Sequence, residues 1–342
     1  MRPAPCLWGI FTVFLSLLGP ATYFARAEEV DPALLDACPG YNATNVKVDG
    51  PTLTAKLVLA GAPCKVFGGD IEVLDLTVVY ETGKLLSRHM AQRWHLSDGC
   101  SVLSCLPRAA HPHNTPETRI HLKITDASNA RYEVPESVFP RPAADPNTRA
   151  DAAQIRFTYS AAPFAFNISR AHTGDVLFTT AGHPLIFEPQ FLRIKTALPS
   201  DANIYGLGEH SEPFRLDVVN TTRTLWARDA YGIPQGTNLY GSHPVYFEHR
   251  PAGSTHAVFL LSSSGMDVKI REDGNGASLE YDVIGGVFDF YFLAGSETDP
   301  AEVSRQYAQV VGTPAEVPYW SFGLHQCRYG YEGGVFFLFF FL

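Results

Sequence analysis

The sequence predicts a mainly β protein whose principal unit is an N-terminal β-sandwich. Three observations carry this. Short runs of alternating or β-branched residues recur from Leu53 to Leu293, and Gly, Pro, Asn and Asp separate them. The 342 residues include 28 Gly and 25 Pro, which supplies the turns such an array needs. Apolar residues make up 46% and charged residues only 18%, so the chain can bury a core and is not of disordered composition.

Taken in order, the chain opens with an export signal. Arg2 gives the positive end, Leu7–Leu18 the apolar run, and Ala25-Arg26-Ala27 a cleavage site of the Ala-x-Ala kind, so 1–27 reads as a signal peptide and the protein as secreted. The run is too short to span a bilayer, and so is Val335–Leu342. Asn42, Asn167 and Asn220 each begin an N-x-S/T sequon, which fits glycosylation on export. In an oxidising compartment Cys38–Cys64 is the expected bridge across a hairpin-sized loop, and Cys100–Cys105 is a second candidate pair. A zinc site is the rival reading, but the Cys and His spacings match no common ligand pattern.

Cys38-Pro39-Gly40-Tyr41 reads as a turn. Strands are expected over Leu53–Leu59, Ile71–Tyr80, Ile120–Thr125, Gln154–Tyr159, Phe164–Ser169, Val176–Thr180 and Leu185–Ala197. Further strands are expected over Val245–His249, His256–Ser262, Met266–Ile270, Ser278–Val283 and Val287–Leu293. Leu85–Thr118, rich in His and Cys, lacks strand periodicity and reads as an irregular insertion, with a metal patch as the alternative; Pro140–Ala153 reads as an exposed loop. One helix is well marked. Asp299 is placed to cap it, Pro300 to open it and Glu302 to complete a capping box; Val303, Tyr307, Val310 and Val311 form its apolar face, and Gly312 and Pro314 end it. The domains expected are therefore 28–313 as the sandwich and 314–342 as the start of something else. Net charge is −9 with no basic run, which argues against a nucleic-acid partner.

Four stretches carry more than fold. They are Ile204-Tyr205-Gly206-Leu207-Gly208-Glu209-His210, Leu225-Trp226-Ala227-Arg228-Asp229-Ala230-Tyr231-Gly232, Asn238–Phe247, and Pro318–Tyr331. In this order they resemble the α-glucosidases of glycoside hydrolase family 31, particularly secreted fungal ones, over most of residues 36–331. The resemblance implies a galactose-mutarotase-like sandwich followed by a (β/α)8 barrel whose first strand corresponds to Tyr319–Cys327. A barrel needs about 250 residues, so the expectation is that this chain holds only its entrance. The resemblance is interrupted by 85–118 and stops after Tyr331, and we expect both departures to be translated intron or frameshifted sequence.

The activity implied is retaining hydrolysis of a terminal α-glucoside, in which two carboxyl groups stand about 5–5.5 Å apart, one ionised and one protonated. Family members carry both as aspartates on later barrel strands, the nucleophile in a Trp-x-Asp-x-Asn-Glu-like motif. No such motif occurs in this chain, so no catalytic residue is assigned. Glu209, Glu212, Asp217 and Asp229 are the nearest carboxylates in the sandwich, and isolated carboxylates more often cap turns or face solvent. By resemblance, Asp229 would reach from a sandwich loop to hydrogen-bond sugar hydroxyls in the complete enzyme, against an ion pair with Arg228 or a turn cap. Tyr329 would line the glucose pocket, against ordinary core packing. His210 and His243 read as structural, and Trp226, Trp320 and Tyr319 as core or domain-interface aromatics. The partner implied is an oligosaccharide or glucoside substrate. No metal or nucleotide cofactor is implied, since Gly206-Leu207-Gly208 lacks the third glycine and following helix of a dinucleotide loop. The alternatives are a non-catalytic carbohydrate-binding sandwich module and a non-functional gene product.

Overall fold

A computed structural model describes residues 30–81, 118–142, 148–230, 232–273 and 276–325. The expected signal peptide, nearly all of the 85–118 segment with Cys100 and Cys105, and Cys327, Tyr329 and the terminal apolar run lie outside the described residues.

A short helix α1 (Pro32–Asp36) comes first, its N-terminus capped by the Asp31 carboxylate, which accepts from the Ala33 amide at 2.9 Å. Sixteen strands follow among the described residues: β1 (Tyr41–Asp49), β2 (Thr52–Leu59), β3 (Val73–Glu81), β4 (Arg119–Asp126), β5 (Ile155–Ala161), β6 (Phe164–Arg170), β7 (Val176–Thr179), β8 (Ile186–Glu188), β9 (Phe191–Leu198), β10 (Asn203–Gly206), β11 (Asn220–Leu225), β12 (Val245–His249), β13 (Thr255–Leu260), β14 (Met266–Asp273), β15 (Gly276–Val283) and β16 (Phe288–Ser296). Helix α2 (Glu302–Val311) closes the series. The strands form an eight-stranded sheet ordered β1-β2-β3-β4-β16-β13-β12-β10, a five-stranded sheet ordered β11-β14-β15-β9-β8, and a three-stranded sheet β5-β6-β7, with antiparallel pairing in all three.

Period-two alternation explains the layering. One face of the large sheet sends Leu57, Leu76, Ile120, Leu122, Ile124, Val258, Leu260, Phe290 and Phe292 into a core shared with both smaller sheets. Phe166 and Phe178 from the three-stranded sheet meet Phe292 edge-on, with ring centres 6.1 and 5.1 Å away. The opposite face presents Ala257, Phe259, Tyr291 and Leu293 to Val303 and Val310 of α2. Both faces of β13 and β16 are thus covered, which is why these strands read as nearly unbroken apolar runs.

Several expectations need correction. Leu185–Ala197 is two strands, because the Pro189-Gln190 turn breaks the run and folds β8 back on β9. Cys38–Tyr41 leads into a nine-residue strand; the register shift between Thr44 and Lys47, with Asn45 at positive φ, destroys the alternation that would have marked β1. Strands β10 and β11 also escape the pattern, the second because Asn220–Leu225 is mostly polar. The capping box is not formed: the helix begins at Glu302 with Ala301 at its N-cap and no side-chain cap, so Asp299 and Pro300 precede it. Asp299 accepts from the Ala301 amide at 3.0 Å, but the Asp299 amide is taken by the Ser296 hydroxyl at 3.1 Å, so Glu302 turns to Arg305 at 2.7 Å. Gly312 ends α2 at φ +87°. The expected barrel strand at Tyr319–Cys327 is not present over its described part: Tyr319–Phe322 forms a single 3-10 turn, exposed, with no strand beside it among the described residues to supply a ladder.

Cys38 and Cys64 are bonded, with Cα atoms 5.3 Å apart, and the bridge fastens the segment after α1 to the loop before β3. The Glu188 carboxylate holds the same loop by accepting from the Val66 and Phe67 amides at 2.7 and 2.8 Å. The disulfide fits an oxidising compartment. No helix among the described residues is long and apolar enough to cross a membrane.

Candidate functional site

The Gly-rich stretch 204–210 begins as β10 and leaves it at Gly206. This residue sits at φ +103°, and a Cβ there would lie 2.4 Å from the Val245 carbonyl, so only glycine lets β10 lie so close to β12. The next residues zip onto 239–243. The Leu207 amide donates to Val245 O at 2.9 Å, Glu209 N to Gly241 O at 3.0 Å, Leu239 N to Glu209 O at 2.9 Å, and His243 N to Gly208 O at 2.8 Å. Two stretches that are separate in sequence are therefore one structural unit.

Glu209 closes that unit. Its Oε2 accepts from the backbone amides of Tyr240 at 3.0 Å and Gly241 at 2.8 Å. These two amides hold the carboxyl below the ordinary glutamate range. A group so fixed in its ionised form is a poor general acid, which removes one of the four sandwich carboxylates from catalytic consideration. Two others are also engaged: Glu212 pairs with Arg223 at 3.3 Å, and Asp217 accepts from the Val219 amide at 2.9 Å in a local turn.

Asp229 lies exposed in the loop after β11. Its neighbour is Tyr240, whose hydroxyl donates to the Ala230 carbonyl at 3.1 Å; hydrogen bonding to the Asp229 side chain, and then the Asp229 charge, raise the phenol's pKa. An ion pair with Arg228 is not formed among the described residues. Tyr240 thus joins the Asp229 loop to the Gly-rich loop, through its side chain on one side and its main chain on the other. The motif resemblance covers 238–247, but nothing local in the sequence marks Tyr240 or Glu209 as a link, because their partners lie 10 and 31 residues away.

Beside this unit runs a groove of about 700 Å3 whose walls include Phe214, Leu216, Tyr307 and Val311. His210 lines it with a side chain only 7% exposed, 3.6 Å from Glu212. Burial, and then the Arg223 charge, lower the His210 pKa and keep the imidazole neutral. His243 is exposed and takes part through its backbone. Trp226 is not a core residue: it is 55% exposed and lies over Gly265. Tyr319 and Trp320 are 90% and 70% exposed, so core packing is excluded for them too.

The sequons fall on strands or strand ends. Asn42 is half-buried on β1, Asn167 is half-buried on β6 with its side-chain oxygen accepting from Thr179 Oγ1 at 2.5 Å, and Asn220 is exposed at the start of β11.

Comparison with known proteins places this geometry. Residues 112–268 match the glycosyl hydrolase 31 N-terminal galactose mutarotase-like domain. A probable alpha/beta-glucosidase of Arthroderma benhamiae is 47% identical over 94% of this chain and 33% of its own length. One of Aspergillus fumigatus is 47% identical over 92% of this chain and 31% of its own, and an alpha-glucosidase of Hordeum vulgare is 45% identical over 63% of this chain and 26% of its own. The chain spans about a third of the length of the relatives it matches. The fold resembles the catalytic subunit of an ER glucosidase II heterodimer (TM-score 0.59, 13% identity, 83% of this chain and 36% of that one). It also resembles a Flavobacterium johnsoniae GH31 dextranase complexed with isomaltotriose (TM-score 0.54, 16% identity, 84% and 30%).

Proposed function

Because the chain belongs to glycoside hydrolase family 31, matching the N-terminal portion of its members, we propose that it forms the sandwich of a secreted enzyme removing terminal glucose from α-glucosides with retention. In this reading 1–27 is the signal peptide, 28–313 the sandwich and 314–342 the approach to a catalytic barrel. The carboxyl pair that performs hydrolysis belongs to that barrel, since the chain contains no Trp-x-Asp-x-Asn-Glu motif. Asn42, Asn167 and Asn220 are the glycan acceptors.

One observation supports this most directly: three motifs that are separate in sequence meet at Tyr240 and leave the Asp229 carboxylate exposed to solvent. A carboxylate held out on a tied loop suits sugar hydroxyls, because it accepts two or more charge-assisted hydrogen bonds from adjacent O–H groups. It orients the sugar and transfers no proton. Tyr329 supplies an aromatic wall to the same glucose pocket.

The first test is a full-length transcript read through codons 80–120 and past codon 331. The reading requires a frame that continues into the nucleophile motif. In that longer product, Asp229→Asn raises KM for an aryl α-glucoside about tenfold, equivalent to about 1.4 kcal/mol. The 342-residue chain alone shows no turnover. Turnover by the chain alone, lost in Asp229→Asn, would overturn the proposal and make the sandwich itself catalytic.

A further inference from the structure

We infer that Glu209 and Tyr240 are positioning residues, acting as a two-link tie that holds the Asp229 loop against the Gly-rich loop. The functional meaning of the tie rests on the sugar contact proposed for Asp229; its existence does not. The first link runs from the Glu209 carboxylate to the amides of Tyr240 and Gly241, both on the single oxygen Oε2. The second runs from the Tyr240 hydroxyl to the carbonyl of Ala230, next to Asp229 in the chain.

Burial anchors the loop only at its two ends, where Trp226 lies over Gly265 and Ala230 is buried. Residues 227–229 between them are exposed, and Tyr240 itself is 62% exposed. Hydrogen bonds beside Ala230 therefore help to set where Asp229 stands. The Gly-rich loop is anchored separately by its ladder to Val245, Gly241 and His243, which makes it a fixed base from which the tie can act. A site residue carried on a loop needs support of this kind, because a displacement of about 1 Å is enough to cost much of its contribution. The raised Tyr240 pKa agrees with the same closeness, since hydrogen bonding to the Asp229 side chain and then its charge are the causes.

The chemistry of the first link gives a discriminating variant. Both amides use one oxygen, so Glu209→Gln can keep the link through its carbonyl, whereas Glu209→Ala cannot. Millisecond amide hydrogen exchange on the 342-residue chain is the measurement. Tyr240→Phe and Glu209→Ala are expected to accelerate exchange in peptides spanning 226–233 about tenfold while β12 and β13 keep their protection. Glu209→Gln is expected to stay near the parent chain. Unchanged exchange at 226–233 in both Tyr240→Phe and Glu209→Ala overturns the proposal, as does equal acceleration in Glu209→Gln and Glu209→Ala. If Tyr240→Phe loses β12 and β13 protection, the Glu209 pair decides alone. The KM effect of Asp229→Asn in the longer product reports on the sugar contact independently, so failure of that reading is not confused with failure of the tie.

Discussion

At the scale of single residues, the most consequential group outside the site is His121. It stacks on Tyr291 with ring centres 4.2 Å apart, and its two nitrogens face Asp289 at 2.5 Å and Glu81 at 3.2 Å. Arg119, which pairs with Glu81 at 2.7 Å, and Arg141, 3.4 Å from Asp289, complete the cluster. Burial opposes the imidazolium, but the Asp289 and Glu81 contacts outweigh it and push the pKa up to about 9. The sign follows: the contribution is complete below the unfolded value of about 6.5 and is lost as pH rises through about 9. Urea denaturation between pH 6 and 10 should therefore show stability falling by roughly 2–3 kcal/mol across that window. His121→Gln should flatten the slope and cost about 3 kcal/mol at pH 6, because two carboxylates lose their buried cation; an unaltered slope in that variant contradicts the account. A second residue-scale expectation concerns Gly206, where the positive φ and the nearby Val245 carbonyl penalise any side chain. Gly206→Ala should lower stability by about 2 kcal/mol or more in the same assay. The sequence marked Gly206 and Asp229 through local motifs. It could not mark His121, whose decisive partner lies 168 residues away.

At the scale of elements, the β3–β4 hairpin bears on the 85–118 segment. Glu81 pairs with Arg119, and the register then runs unbroken to Leu74 opposite Asp126. The ends to be joined are thus already adjacent, and Thr82-Gly83-Lys84-Thr118 is enough to connect them. Deleting 85–117 shortens the closed loop roughly tenfold, which should raise stability by about 2 kcal/mol through loop entropy alone. Thermal unfolding of the deletion variant checks this, and a loss of stability would show that the removed residues pack on the sheet. The Cys38–Cys64 bridge, 26 residues apart, should contribute about 3 kcal/mol by the same reasoning, measurable as the difference between oxidised and reduced chains. Legibility of the elements followed their burial pattern. Strands such as β6, where buried and half-buried positions alternate from Phe164 to Arg170, were plain in the sequence. β16, covered on both faces, showed as an apolar run. β1 and β11 were not legible, since an edge strand with a bulge and a mostly polar strand carry no apolar period to read.

At the scale of the whole molecule, the question is what the sandwich leaves uncovered. Its core and the α2 side of the large sheet are filled, yet large apolar side chains remain exposed, singly at positions such as Val48, Phe67 and Val138 and more densely along two stretches. Phe214, Val219, Trp226, Ile233 and Tyr240 belong to the motif region, and Val317, Tyr319, Trp320, Phe322 and Leu324 to the segment after α2. Scattered exposed apolar residues are ordinary, but their density along these two stretches, with Phe214 also lining the groove of about 700 Å3, suits a surface that meets other protein. The relatives are about three times as long as this chain, which provides for such a covering in the longer product we propose. On this argument the 342-residue chain, studied alone, should bind a hydrophobic dye and self-associate in sedimentation velocity at micromolar concentration. The net charge of −9 opposes association at long range and is screened by salt, so raising ionic strength should strengthen it. Replacing Phe214 and Trp320 together by Ser should weaken both signals without lowering the unfolding midpoint, because neither ring is part of the core. A monomeric parent chain with no dye binding at any salt concentration would mean that these rings are covered within the chain itself, and the expectation of a second protein surface over the motif region would fall with it.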